Sequence, residues 1–296
     1  MKSVSIISLL LFIVFLFASC GSVSETSSSA QEPEFLESWL GYKYSSQSET
    51  GVIVFNNDFA HLVSCPSEND TLTLPTVFDK ATPIAGIADH AFCNNSRITQ
   101  LIIPNEYKTI GHYSFMNCEN LETIMIGNGL SYVGELAFAD CSKISCINVA
   151  EDNPHFYASE GCLLERGSDT LVITTGIVPK CTKIIGPSTF AYYSGIELAL
   201  PEGLVEISGL AFQGSSLEKI EFPHSLEKIH NEAFLNCESL TTVIISSNVT
   251  EIGEGCFSGT DGISIYCEAK EKPESWSNDW LKGAENVTVV WGYQPE

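Results

Sequence analysis

Apolar positions return along this chain at a fixed interval. A phenylalanine behind a mostly small residue stands at Ala91-Phe92, Ser114-Phe115, Ala137-Phe138, Thr189-Phe190, Ala211-Phe212, Ala233-Phe234 and Cys256-Phe257. The successive spacings are 23, 23, 52, 22, 22 and 23 residues. Such a period marks a repeat architecture and outranks local propensity. Other positions keep phase. Ahead of each phenylalanine sits an aliphatic, often with glycine after it, as at Ile110-Gly111, Val133-Gly134, Ile185-Gly186 and Ile252-Gly253. Behind it comes an alternating run: Leu121-x-x-Ile124-x-Ile126, Leu217-x-x-Ile220-x-Phe222, Leu240-x-x-Val243-x-Ile245. Alternation predicts a strand with one buried face. Proline at Pro75, Pro104, Pro201 and Pro223 closes several of these runs, because it has no N–H for a ladder.

The stretch LEKIEFPHSLEKIHNEAFLNCESL (217–240) holds the letters LEKI twice, in two different places of one unit. The first copy begins the alternating strand and the second begins a short segment on the opposite wall. Each circuit of the chain takes about 22 residues. One circuit cannot stand alone. Burying a large apolar side chain contributes roughly 1.5–3 kcal/mol, while ordering each residue costs about 1–2 kcal/mol. Stacked circuits share walls, pair strands in parallel and make one core. The expectation is therefore a solenoid whose seven phenylalanines form one continuous interior column. On that reading Phe138→Ala, in mid-array, costs about 3–5 kcal/mol. The 52-residue spacing holds one unit plus about 30 further residues. Within it, HFYASEGCLLERGSDTLVITTG (155–176) predicts a hairpin protruding from the solenoid.

These residues resemble a known family. The unit I-G-x-x-A-F-x-x-C-x-x-L-x-x-I-x-I-P, standing here as IGHYSFMNCENLETIMI (110–126), VGELAFADCSKISCINV (133–149) and IHNEAFLNCESLTTVII (229–245), is similar to the BspA-type leucine-rich repeat. The hairpin segment, the ending IYCEAKEKPESW...VVWGY and the opening GVIVFNNDFAHLVSCPSENDTLTLP (51–75) resemble that family's insert, cap and first degenerate unit. The resemblance implies a leucine-rich-repeat right-handed superhelix of about seven to eight units. Short parallel strands, turns, short 3₁₀ or helical pieces and a β-hairpin insert make up its fold. It also implies an exported or surface-exposed protein, since several members are associated with adhesion.

The first residues read as an export signal. Lys2 supplies a positive start and Ile6 to Phe17 is an apolar run of twelve, too short to span a bilayer. Phe17-Ala18-Ser19-Cys20 resembles the lipobox of bacterial lipoproteins, with phenylalanine where leucine is usual. That resemblance implies lipidation at Cys20, enough acyl chains for stable anchoring, and attachment to the cell envelope at the outer membrane or cell surface. A secretory signal cut nearby is the alternative. The chain then divides into a signal peptide (1–19), the lipidated cysteine with a serine-rich flexible tether (20–40) and an N-terminal degenerate repeat or cap (41–86). The leucine-rich repeats (87–263) carry the insert at about 150–180, and a C-terminal cap (264–296) follows.

Charge and chemistry narrow the function. Fourteen Lys and Arg against 37 Asp and Glu leave a net charge of -23, which repels nucleic acid. Cys118, Cys141 and Cys237 each follow a phenylalanine by three residues, with Ser215 and Thr260 in the same place elsewhere. This predicts a buried ladder of small, weakly polar residues rather than disulfides. No zinc spacing, G-x-S-x-G, H-E-x-x-H, P-loop or G-x-G-x-x-G occurs, and no cofactor or metal is expected. His90, His112 and His230 recur in one turn, which reads as scaffold. Binding is expected on the strand face, through Gln100, Ile102, Thr123, Met125, Asn148, Glu197, Lys219, Glu221, Thr242 and Ile244. Ile102, Met125 and Ile244 are apolar where solvent is expected, so a protein or glycan partner is the foremost reading. An envelope scaffold, or an enzyme with a cryptic site on the insert or cap, are the alternatives.

Overall fold

The computed structural model describes residues 42–45, 51–55, 59–64, 70–78 and 82–294. The signal peptide, Cys20 and the tether lie outside the described residues. The described residues begin with β1 (Tyr42–Ser45), β2 (Gly51–Phe55) and β3 (Phe59–Ser64), paired antiparallel in sequence. β4 (Thr71–Thr73), β5 (Val77–Phe78) and β6 (Thr82–Ile87) follow. The first coils alternate long and short strands: β7 (Gln100–Ile103), β8 (Thr109–Ile110), β9 (Thr123–Ile126), β10 (Tyr132–Val133) and β11 (Cys146–Val149). The insert supplies β12 (Phe156–Ser159), β13 (Cys162–Glu165) and β14 (Thr170–Ile173). Coils resume with β15 (Ile184–Ile185), β16 (Glu206–Ile207), β17 (Lys219–Glu221) and β18 (Lys228–Ile229). The chain ends with β19 (Thr242–Ile245), β20 (Glu251–Ile252), β21 (Ser264–Cys267) and β22 (Thr288–Trp291).

Two walls run along the solenoid. The short strands β6, β8 and β10 stack in parallel on one wall, and β14, β15, β16, β18 and β20 continue that wall further on. The longer strands β4, β7, β9 and β11, then β17, β19, β21 and β22, form the other. Inward residues stay in register: Leu101, Ile124 and Ile147 on the long wall, Ile185, Ile207, Ile229 and Ile252 on the short one. All seven are essentially fully buried. The two LEKI segments fall as β17 and β18, one on each wall, with Leu217, Ile220, Leu226 and Ile229 inside. The glycine after the short strand has a steric cause. A Cβ on Gly134 would stand 2.6 Å from the backbone N of His112 in the coil below, and one on Gly253 would stand 2.4 Å from that of Asn231.

The phenylalanines stack, but in two columns rather than one. Phe92, Phe115 and Phe138 have successive ring centroids 5.1 Å apart. Phe190, Phe212, Phe234 and Phe257 form the second column at 5.2, 4.9 and 5.4 Å. Both spacings match the rise of one strand layer. The core divides likewise into two large clusters, with a small third one of Leu136, Ala139 and Ala191 between the blocks. Phe138 therefore ends a column instead of sitting in mid-array, and it is only half buried.

The cause is the insert, which does not protrude. β13 and β14 are buried along nearly their whole length. Leu163 and Ile173 pack into the first core, while Cys162, Leu164 and Leu171 pack into the second. The hairpin is thus a partition between two blocks of coils, and β14 takes a place in the short wall beside β15. The expected 3₁₀ or helical pieces are absent among the described residues. The bend around each phenylalanine is a run of turns in which the residues two before and two after the ring have positive φ. Tyr113 and Asn117 (56° and 57°) show it in one coil, Glu232 and Asn236 (55° and 56°) in another. Left-handed residues at that spacing interrupt any right-handed helical turn.

Candidate binding face

The long wall presents its outward side chains in rows. On β7, β9 and β11, Gln100, Thr123 and Cys146 are register partners, and so are Ile102, Met125 and Asn148. Thr71 and Thr73 on β4 extend both rows toward the N terminus, and the Thr71 hydroxyl donates to Gln100 Oε1 at 3.2 Å. The second block repeats the arrangement. Lys219, Thr242, Ser264 and Thr288 form one row, and Glu221, Ile244, Tyr266 and Val290 the other. Met125 is 43% exposed and Val290 38%. Ile102, Ile244 and Tyr266 are half buried, shielded by the residues beside them in the ladder. The Lys219 ammonium pairs with the Glu221 carboxylate on its own strand, which pushes the lysine pKa up.

Nine of the ten predicted face residues lie on these two sheets. Glu197 does not. The segment around it forms no strand, because the partition removes the layer it would pair with; the Glu218 N–H donates to the Ile196 carbonyl and no ladder follows. The face is therefore two four-stranded patches, not one band. Tyr266 and Val290 belong to the second patch and were not among the predicted residues. The signal for Tyr266 was the alternating ISIYC of 263–267, in phase with Thr242 to Ile245. Tyr293 adds its ring 5.0 Å from that of Tyr266.

The predicted cysteine ladder is built from hydrogen bonds between coils. The thiol of Cys118 donates to the Phe92 carbonyl at 3.3 Å, Cys141 to Phe115 at 3.1 Å and Cys237 to Phe212 at 3.0 Å. The Thr260 hydroxyl makes the same bond to Phe234 at 2.9 Å. All four side chains are buried. A hydrogen bond with the neighbouring Cys118 thiol, and then burial, hold Cys141 far above the ordinary thiol range, and burial pushes Cys267 up to about 12. Thiols so placed are poor nucleophiles. The turn histidines are structural in their contacts. His90 stacks on Tyr113 with ring centroids 4.8 Å apart, and His112 Nδ1 accepts the Glu135 N–H at 3.1 Å. Among the described residues no cluster of His, Cys, Asp and Glu has the geometry to hold a metal ion.

Stacked parallel coils with short and long walls and an inward ladder repeated from coil to coil define a leucine-rich solenoid. The chain belongs to the BspA type leucine rich repeat family, whose model matches residues 84–160 and 168–278 in six copies. Among solved structures it is similar to the pneumococcal vaccine antigen PcpA, at 20% identity and a TM-score of 0.49 over 75% of this chain; it spans 66% of the PcpA chain. It is also similar to the leucine rich repeat protein of T. pallidum (16% identity, TM-score 0.37, 84% of this chain and 86% of that one). A leucine-rich repeat protein from Bacteroides ovatus is 19% identical, with a TM-score of 0.42 over 84% of this chain and 70% of that one. No curated protein matches the chain.

Proposed function

We propose that this protein is a non-catalytic binding protein of the cell envelope. It is anchored through lipid on Cys20 and engages a protein or glycan outside the membrane through the long-wall face, in the manner of an adhesin. The observation that carries the reading is the pair of open sheets, each with an apolar row (Ile102 and Met125; Ile244, Tyr266 and Val290) flanked by polar ones. An apolar row rimmed by polar side chains is the usual form of a protein-binding patch. The anchor and serine-rich tether fit a domain that must stand off a membrane.

The test uses the Cys20→Ser form as a soluble probe on glycan arrays and on envelope fractions of intact cells. Met125→Asp with Ile244→Asp places two charges in the rows without touching the core. The double variant is expected to lose at least tenfold in binding to whichever partner the parent captures, at an unchanged melting temperature. Equal capture by both forms would remove the face from the proposal.

A further inference from the structure

Between the two blocks the solenoid lacks one turn. Elsewhere, register partners on the short wall are 22 or 23 residues apart, as Ile185 and Ile207 or Ile229 and Ile252 are. Leu171 and Ile185 are partners across only fourteen residues. This coil keeps its short strand, β14, but has lost the piece that would carry a phenylalanine. The gap left on the turn side holds a cavity of about 250 Å³ lined by residues 131–139 of one block, by Thr170, Val172 and Thr174 of the partition and by 186–189 of the other block. A smaller one of about 90 Å³ continues it past Asp140 to Ala191 and Tyr192.

The walls of this seam are polar in a specific order. In a complete junction the N–H groups of the phenylalanine and of the residues two to either side donate to carbonyls of the next coil. Tyr113, Phe115 and Asn117 donate to Glu135, Ala137 and Ala139 at 3.1, 2.8 and 2.9 Å. Glu232, Phe234 and Asn236 do the same to Glu254, Cys256 and Ser258 at 3.0, 2.8 and 2.7 Å. At the seam the corresponding donors are Leu136, Phe138 and Asp140, and none of their N–H groups has a partner within the described residues. The facing carbonyls of Pro187, Thr189 and Ala191 accept no backbone hydrogen bond either. The hydroxyl of Ser188, a buried residue of the cavity lining, has no hydrogen-bond partner. The half-buried ring of Phe138 forms an apolar end wall. Tyr132 and Tyr192, 47% and 39% exposed, stand at the mouths.

We propose that the seam is a binding slot for a polypeptide segment of a partner protein, which parts the Leu136, Ala139 and Ala191 cluster, enters as the missing turn and sets an aromatic side chain against Phe138. A peptide backbone offers acceptors to one wall and donors to the other at the spacing of alternate residues that these rows require. An anion would satisfy the N–H row but would face the carbonyl row and the carboxylates of Glu135, Asp140 and Glu165 in a chain of net charge -23. The slot is separate from the long-wall face and stands or falls apart from it.

The experiment follows amide exchange by NMR with a synthetic peptide copying residues 231–238, NEAFLNCE, in its Cys237→Ser form. At saturating peptide the amides of Leu136, Phe138 and Asp140 should exchange at least tenfold more slowly, and the Phe234→Ala peptide should need at least tenfold more to do the same. Ser188→Leu fills the slot with the residue type that Leu136 and Leu210 carry at the equivalent left-handed position, so it fits the backbone. It should abolish the protection. Val172→Trp fills the slot from the other side and serves if the first variant does not fold. Unchanged exchange at every peptide concentration overturns the proposal. So does equal protection by acetate or phosphate, protection that grows with protein concentration in the absence of peptide, or full protection in a folded slot-filled variant.

Discussion

At the scale of single residues, the repeat is held by positions that must reverse the backbone. The residue two after each phenylalanine is left-handed in all seven coils: Asn94, Asn117, Asp140, Tyr192, Gly214, Asn236 and Gly259. All six besides Tyr192 are Asn, Asp or Gly, in keeping with the cost of this conformation for other side chains. This much was legible in the sequence, since Asn117, Asp140 and Asn236 stand before their cysteines on schedule. The position two before the ring was not legible. It too is left-handed throughout, yet it carries His90, Tyr113, Leu136, Ser188, Leu210, Glu232 and Gly255, a set with no common chemistry. There the stacked hydrogen bonds of adjacent coils impose the conformation against propensity. Asn236→Val puts a β-branched side chain on a left-handed residue and should cost at least about 1–2 kcal/mol. Asn236→Gly should melt within a degree or two of the parent. Equal melting of the valine and parent forms would mean that the turn tolerates either hand.

At the scale of elements, the strands and their facing were readable because alternation and period agree. Ile124, Ile147, Val243 and Ile265 all fall inward as the pattern requires. The insert was misread for a physical reason. CLL in β13 and LVI in β14 are continuous apolar runs, and such runs mark strands covered on both faces. A protruding hairpin would alternate. Spacing alone could not separate one whole unit plus a hairpin from a shortened coil plus a partition, since both fill 52 residues. The consequence can be measured in the phenylalanines. Phe234 is fully buried with a ring stacked on each side, so Phe234→Ala should cost about 3–5 kcal/mol. Phe138 is half buried and stacked on one side only, so Phe138→Ala should cost about 1–2 kcal/mol, within the ordinary range of point substitutions. Urea unfolding of both variants decides it. Equal losses would restore a single continuous column.

At the scale of the whole molecule, each coil leans on its neighbours, so stability passes along the rod junction by junction. The end of the rod is closed in the same terms. The last phenylalanine coil finds acceptors in the C-terminal segment, Gly255 donating to Asp279 at 2.9 Å and Gly259 to Gly283 at 2.8 Å. Trp280 lies edge-on to Phe257 at 6.1 Å, and the buried Trp276 donates its indole N–H to the Val249 carbonyl at 3.0 Å. The seam is the weak junction. It lacks the turn hydrogen bonds, its ring stack is broken, and neither wall's ladder crosses from β10 or β11 to the coils beyond. The partition, with one face in each core, joins the blocks, helped only by the small cluster of Leu136, Ala139 and Ala191 among the described residues. Damage to the cap should therefore spread through the second block and stop at the seam. Trp276→Ala removes a buried ring and a hydrogen bond, and should lower the opening free energy of amides between Phe190 and Trp291 by about 3–5 kcal/mol. Amides between Ile84 and Ile147 should change by less than about 1 kcal/mol, because cooperative units open separately where coupling is weak. Hydrogen exchange with mass spectrometry resolves the two blocks in one measurement. A uniform fall across both would show that the partition couples them as firmly as an ordinary coil, and the seam would then be a scar in the repeat and not a joint.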